Sequence, residues 1–238
     1  MRGRSKMNTI IFDIDKTLLV GSHCHFYSFR QAFRELFNAD VEIDIERIQG
    51  MTDKEIIFQT AWKYGLEISD GDFVRIVDRI SYNYRLNLER DNIRALHGAE
   101  IILKRLSEAG TPLGVVTGNI EPVAWLKLRE ASFDGYFNFG GFGNEGCSRA
   151  SILRLALERA SSIYGRLRRE NVITVGDTPR DIEAGRELGL RTVGVATGDF
   201  TVDELEAAGA DHVLECLGDV DAFLEITGYG TAVSVMGD

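Results

Sequence analysis

The sequence predicts an α/β protein: a parallel sheet with helices on both faces, interrupted after its first strand by an all-helical insertion. Three observations carry this. Short β-type runs alternate with helical patterns through the second half of the chain, which is the signature of parallel β-α-β units. Residues from about 20 to 95 hold helical stripes and no convincing strand. Pro122 and Pro179 each fall where a helix would begin, the position at which a missing backbone N–H costs nothing.

Taken in order, the first strand is Thr9–Phe12. In the insertion, Phe26, Phe29, Phe33 and Phe37 recur at helical spacing, followed by Ile56, Ile57, Thr60 and Tyr64 and by Phe73, Ile76, Val77 and Ile80; these stripes predict the core of a small helical bundle. Beyond it come a helix over Ala99–Ala109, a strand at Leu113–Val116 and a helix over Pro122–Ala131. A helix over Ala150–Tyr164 precedes the strand Val172–Val175, a helix over Pro179–Leu188 and the strand Thr192–Ala196. Helix Val202–Ala208 and strand Asp211–Leu214 complete the set. The stretch Phe139-Gly140-Gly141-Phe142-Gly143 reads as a loop, and not as a nucleotide loop, because it lacks a strand-to-helix setting. The expected division is therefore a core from residues 1–19 and 96–238 and a helical domain from residues 20–95.

Composition narrows the function. The 238 residues are 44% hydrophobic and 27% charged, with mean hydropathy near zero, the balance of a soluble globular protein. Twenty-seven basic against 37 acidic side chains leave a net charge of −10, which disfavours nucleic acid and anionic membranes as partners. No apolar run approaches the roughly 20 residues of a spanning helix. Three cysteines without a Cys-x-x-Cys spacing suggest neither a disulfide framework nor a thiolate zinc site and fit a reducing cytoplasm. The basic start, MRGRSK, has no apolar segment after it and does not read as a secretion signal.

Three predicted strands run into polar segments at their C-terminal ends: Asp13-Ile14-Asp15-Lys16-Thr17, Thr117-Gly118-Asn119 and Gly176-Asp177-Thr178-Pro179-Arg180-Asp181. In an open parallel sheet those ends share one edge, where such sheets place their ligands. Four carboxylates, Asp13, Asp15, Asp177 and Asp181, would then meet beside the Thr117 hydroxyl. Packed carboxylates are most simply held ionised by a divalent cation, and oxygen-only ligands select Mg²⁺ with a substrate phosphate.

With these motifs in place the chain resembles the haloacid dehalogenase-like hydrolase superfamily, on its phosphatase branch, with a Rossmann-like core and a helical cap of the family's first type. The family's first motif, Asp-x-Asp-x-Thr, matches Asp13, Asp15 and Thr17; its second matches Thr117; its acidic fourth matches Asp177 and Asp181. The third, a basic residue opening the helix before the fourth motif's strand, is usually Lys and here is Arg149. His25 stands where relatives often carry a His before the first cap helix, and Lys16 where many carry Gly or Asn. His23, Cys24 and His25 read as linker residues on a strand-like segment at the cap junction, facing different sides.

The resemblance implies an Mg²⁺-dependent phosphatase for a small phosphate monoester, acting through an aspartyl-phosphate on Asp13. Asp15, two residues along an extended segment, would be the general acid and base, provided its neighbours keep it partly protonated. Thr117, Gly118, Asn119 and Arg149 would hold the phosphoryl oxygens. Asp13, the Asp15 carbonyl and Asp177 would ligate the metal, with Asp181 beside them. Gly50, before a cap helix, would belong to a loop facing the organic part, and Arg47 and Lys54 nearby could bind an anionic group there. Phosphoglycolate phosphatase is the most similar-looking activity. The rivals are a phosphomutase of the same fold, a haloacid dehalogenase, against which Asp15 argues, and a catalytically silent binding protein.

Overall fold

The computed structural model describes residues 8–21, 23–45 and 47–230, with only the helical placement, not the side chain, of His23. The leader MRGRSK and the last eight residues lie outside the described residues.

Six strands form one parallel sheet: β1 (Thr9–Phe12), β4 (Leu113–Thr117), β5 (Phe139–Phe142), β6 (Val172–Gly176), β7 (Arg191–Val195) and β8 (His212–Leu214), in the order β5-β4-β1-β6-β7-β8. Register places Ile10 beside Leu113 on one side and Ile173 on the other, so β1 is central. The chain winds outward from β1 through β4 to β5, then returns across β1 to β6 and winds the other way. The C-terminal ends of β1, β4 and β6 flank that switch point, the place where open α/β sheets bind ligands.

Alternation along β1 fixes which helices lie on which face. Ile10 and Phe12 pack with α4 (Ala99–Glu108), α5 (Glu121–Glu130) and α9 (Val220–Thr227) through Ile102, Leu106, Leu128 and Phe223; Phe12 and Phe223 stack 5.9 Å apart. Ile11 points the other way, onto α6 (Arg149–Tyr164) and α7 (Pro179–Glu187) through Ile152, Leu153, Ala156 and Ala184. The short α8 (Val202–Ala207) packs on β7 and β8. Pro122 and Pro179 do open α5 and α7.

Between β1 and β4 the chain forms α1 (His23–Phe37), α2 (Asp53–Lys63) and α3 (Asp70–Asn87). Phe29 and Phe33, Ile56 and Ile57, and Ile76 and Ile80 are the buried centre of this unit, as the helical stripes predict, joined by Tyr84. Ile120 and Val123 at the start of α5 join the same apolar cluster, so the insertion is seated on the core. Entry and exit pair as a two-stranded antiparallel ribbon, β2 (Leu19–Val20) with β3 (Arg94–Ala95).

Three local readings are corrected. Phe139–Phe142 is a buried edge strand and not a loop; its glycines are there because a Cβ on Gly141 would lie 2.0 Å from the Ile152 carbonyl oxygen of α6. His23, Cys24 and His25 open α1 instead of forming a strand-like linker. Helix α9, capped by the Asp219 carboxylate on the Ala222 N–H at 3.1 Å, has no counterpart among the sequence expectations.

Candidate active site

The end of β1 is held in line by the Asp13 N–H, which donates to the Val175 carbonyl at 2.8 Å. The chain then turns: Lys16 takes φ = 60°, the left-handed region that Gly and Asn adopt most readily, and its N–H donates to Leu19 at 2.7 Å. This turn aims Thr17 at β6, where its hydroxyl donates to Asp177 Oδ1 at 3.3 Å. A cavity of about 140 Å³ lies over the three strand ends. Asp13, Asp15, Asp177, Thr117, Gly118, Asn119, Arg149 and Gly50 all line it, as the motifs predict; Asp181 does not.

Arg149 is the first residue of α6, behind a Ser148 N-cap with a reciprocal Ser151 bond. Its Nη1 donates to Asp13 Oδ1 at 3.0 Å, and its Nε sits 2.9 Å from Asp181 Oδ1 as an ion pair lacking hydrogen-bond alignment. Burial alone would depress the guanidinium, but Asp181, Asp13 and Asp177 outweigh it and raise its pKa. The basic residue expected from the third motif is therefore in contact with the first.

Asp181 is committed elsewhere. Its Oδ2 accepts from the Thr178 N–H at 3.1 Å and the Thr178 hydroxyl at 2.6 Å, closing a capping box on α7. Asp15 is also engaged: Lys127 Nζ lies 2.8 Å from both its oxygens and Asn119 Nδ2 lies 2.6 Å from Oδ2. Lys127 further donates to Asn119 Oδ1 at 2.9 Å, and Asn119 Nδ2 reaches Thr117 Oγ1 at 2.7 Å. Burial pushes the Asp15 carboxyl up, but the Lys127 charge with the Asn119 and Lys127 hydrogen bonds prevails and holds it below its usual value. The expectation that neighbours keep Asp15 partly protonated is overturned, because a buried ammonium sits against it.

Lys127 is the site residue that the motifs missed. It is fully buried on α5, on the stripe shared with Val123, Ala124 and Leu128. A lone charge on an apolar helical stripe was the available signal.

Two carboxyls stand above the ordinary range in spite of the nearby cations, Asp13 and Asp177. Burial raises Asp13 well above the ordinary carboxylate range against the pull of Arg149, with Asp181, Asp177 and Asp15 adding to the rise. Asp177 is pushed up to about 8 by burial and Asp181, opposed by Arg149 and Lys16. Among the described residues no three His, Cys, Asp or Glu side chains are grouped to hold a metal ion. The pair of repelling oxygen donors still fits Mg²⁺, which keeps several waters and binds through one or two carboxylates plus phosphate.

The inserted unit closes the cavity from above. Asp53 N–H donates to the Gly118 carbonyl at 2.7 Å and Lys54 N–H to Gly143 at 2.9 Å, while Asp53 Oδ2 accepts from Ile120 N–H at 2.7 Å. The approach needs glycine: a Cβ on Gly118 would lie 2.3 Å from the Met51 carbonyl oxygen. Gly50, at φ = 70°, packs on the core, where a Cβ would meet Thr178 Oγ1 at 2.8 Å. His25 is buried, with Nε2 3.0 Å from Asp53 Oδ1 and Nδ1 without a partner. Lys54 lies over the Phe73 ring at 5.2 Å, and Arg47 pairs with Asp44 at 3.2 Å; neither lines the cavity.

A parallel sheet with its acidic cluster at the switch point, roofed by an inserted helical unit, defines the class: a Rossmann-like α/β core carrying a helical insertion. The sequence profile of the haloacid dehalogenase-like hydrolases matches residues 10–195, and the chain belongs to that family. It is 26% identical over 207 residues to a glyceraldehyde 3-phosphate phosphatase of Methanocaldococcus jannaschii, covering 80% of this chain and 86% of that protein. It is 25% identical to the pyrophosphatase PpaX of Listeria monocytogenes, over 92% and 97% of the two chains. The fold is also that of a hydrolase from Pseudomonas syringae, with TM-score 0.70 at 21% identity over 92% of this chain and 98% of the other. No helix among the described residues is long and apolar enough to cross a membrane.

Proposed function

We propose that this hydrolase is an Mg²⁺-dependent phosphatase that cleaves a small phosphate monoester through an aspartyl-phosphate on Asp13. The observation that carries the reading is the contact of Arg149 Nη1 with Asp13 Oδ1 at 3.0 Å, beside the raised Asp177. An arginine there does two things at once. It orients the nucleophile and favours its ionised form against the burial that raises its pKa, and its planar fork presents further N–H groups to phosphoryl oxygens.

Mg²⁺, when bound by Asp13 and Asp177, would neutralise phosphoryl charge and draw the two carboxylates together. The protein does the rest. Asp13 attacks phosphorus and becomes an acyl phosphate, so that one difficult hydrolysis is divided into two displacements. Thr117 and Asn119 position the phosphoryl oxygens, and Asn119 also orients Asp15. Asp15 enters the cycle ionised, ready to take the proton of the water that attacks the acyl phosphate. The proton for the leaving oxygen passes through the Asp15–Lys127 pair, whose ammonium is 2.8 Å from Asp15.

We take residues 1–19 and 96–238 as the catalytic core and residues 20–95 as its cap, with the β2–β3 ribbon as the hinge. Closure excludes water from the first step, and the contacts of Asp53 and Lys54 with Gly118 and Gly143 are those that opening would break.

The test is phosphate release from acetyl phosphate and glycerol 1-phosphate, with and without Mg²⁺. A chelator should abolish turnover and added Mg²⁺ restore it, and Asp13→Asn should lose several orders of magnitude while remaining folded. Full activity in chelator, or in the Asp13→Asn variant, would sink the reading.

A further inference from the structure

The cavity wall around the organic part of the substrate has no cation to spare, and this constrains the substrate. Four basic side chains line the cavity, and each is matched by a carboxylate. Arg149 is held by Asp13 and Asp181, and Lys127 by Asp15. Lys16, at the mouth, pairs with Asp199 at 2.5 Å, and His25 sits 3.0 Å from Asp53. Beyond the wall, Arg180 faces Glu55 at 3.4 Å and Arg47 pairs with Asp44 at 3.2 Å, while Lys54 lies over the Phe73 ring, outside the cavity. At the phosphoryl end four carboxylates stand against two cations, a deficit that one divalent ion would cancel. A second anionic group on the substrate would enter with no partner, in a setting where water screens poorly.

The wall offers other chemistry. Phe26, Ile48, Met51 and Ile56 give it an apolar surface, and Gln49 gives it a neutral amide, a hydrogen-bonding partner for a hydroxyl. At about 140 Å³ the cavity is also well below the roughly 300–1,000 Å³ of sites that enclose drug-sized ligands. A cavity of that size favours a short organic part under the docked cap.

We infer that the substrates are phosphate monoesters whose organic part is short, hydroxylated and uncharged, and that esters carrying a carboxylate are rejected. The inference rests on the phosphatase reading above and sharpens it.

Matched pairs test it, each differing only in a hydroxymethyl or carboxylate group: 2-hydroxyethyl phosphate against phosphoglycolate, and glycerol 1-phosphate against 3-phosphoglycerate, assayed with Mg²⁺ alongside acetyl phosphate. The expected result is a kcat/KM at least tenfold higher for the uncharged member of both pairs. A ratio below ten in either pair, with turnover present, overturns the inference and leaves the phosphatase reading standing. Turnover of none of the five compounds overturns both.

Discussion

Lys127 sits where an ordinary reading of α5 would place a leucine, and its burial is explained by Asp15 and Asn119, with the Tyr84 ring 5.9 Å from its ammonium. A buried ammonium is tolerated because all three of its hydrogens find oxygen acceptors within 2.9 Å. Replacing it in Lys127→Met leaves the Asp15 carboxylate without its counter-charge. The expected cost is about 1–3 kcal/mol, below the roughly 3–5 of a fully buried pair because Asp15 keeps some exposure. The kinetic effect has a definite sign. Lys127 holds the Asp15 pKa down, so its loss raises it, and the acid limb of kcat moves to higher pH. Urea denaturation and a pH–rate profile measure the two effects; an unmoved acid limb would remove Asp15 from the role of base. The carboxylates of the first and fourth motifs were legible in the sequence because their spacing survives without knowledge of contacts. Lys127 was not, since its partner is 112 residues away and only packing identifies the pair.

At the scale of elements, β5 teaches the same lesson from the opposite side. Phe-Gly-Gly-Phe has no β-branched residue and two residues disfavoured in strands, so local propensity reads it as a loop. The strand exists because α6 lies close against it: Gly141 is where the Ile152 carbonyl passes, and Arg159 Nη1 donates to the Gly140 carbonyl at 2.7 Å. Strand β5 therefore helps to set the height of the helix whose first residue is Arg149. Gly141→Ala should push α6 away, cost about 1–3 kcal/mol by overpacking, and lower kcat through displacement of Arg149. Gly135→Ala, where a Cβ meets nothing within 4 Å, is the control and should be near neutral. Thermal melts and phosphate release on both variants check this; equal behaviour of the two would mean that the close approach is unimportant. Elements with a clean period, β1, β4, β6 and the helices between them, needed no such contact to be found. Helix α9 had the period, with Phe223, Leu224 and Thr227 buried, but is only eight residues long and follows an irregular stretch.

Across the whole molecule, the six-stranded order brings together residues far apart in the chain, and the resulting charge has a thermodynamic signature. Asp177 is raised to about 8 and Asp13 is also raised, so in the absence of metal the folded state binds more protons than the unfolded chain between about pH 4 and 8. That contribution to stability is full below the unfolded pKa and is lost as pH rises through the folded values. Mg²⁺ should reverse it by binding the ionised pair. At a hundredfold excess over Kd the gain is about 2.7 kcal/mol, or roughly 5–10 °C for a chain of this size. The increase in Tm on adding Mg²⁺ should therefore be larger at pH 8 than at pH 5. An equal increase at both would mean that the ion binds elsewhere.

The central claim is that Asp13 carries the phosphoryl group. Asp15→Asn should form the acyl phosphate with acetyl phosphate, which needs little help for its leaving group, yet hydrolyse it slowly for want of a base. Quenching that variant after one turnover, reducing the acyl phosphate with borohydride and sequencing the peptides by mass spectrometry should find the modification on Asp13 at close to one per chain. No modification, or modification at another carboxylate while the unaltered enzyme turns over, would contradict the mechanism.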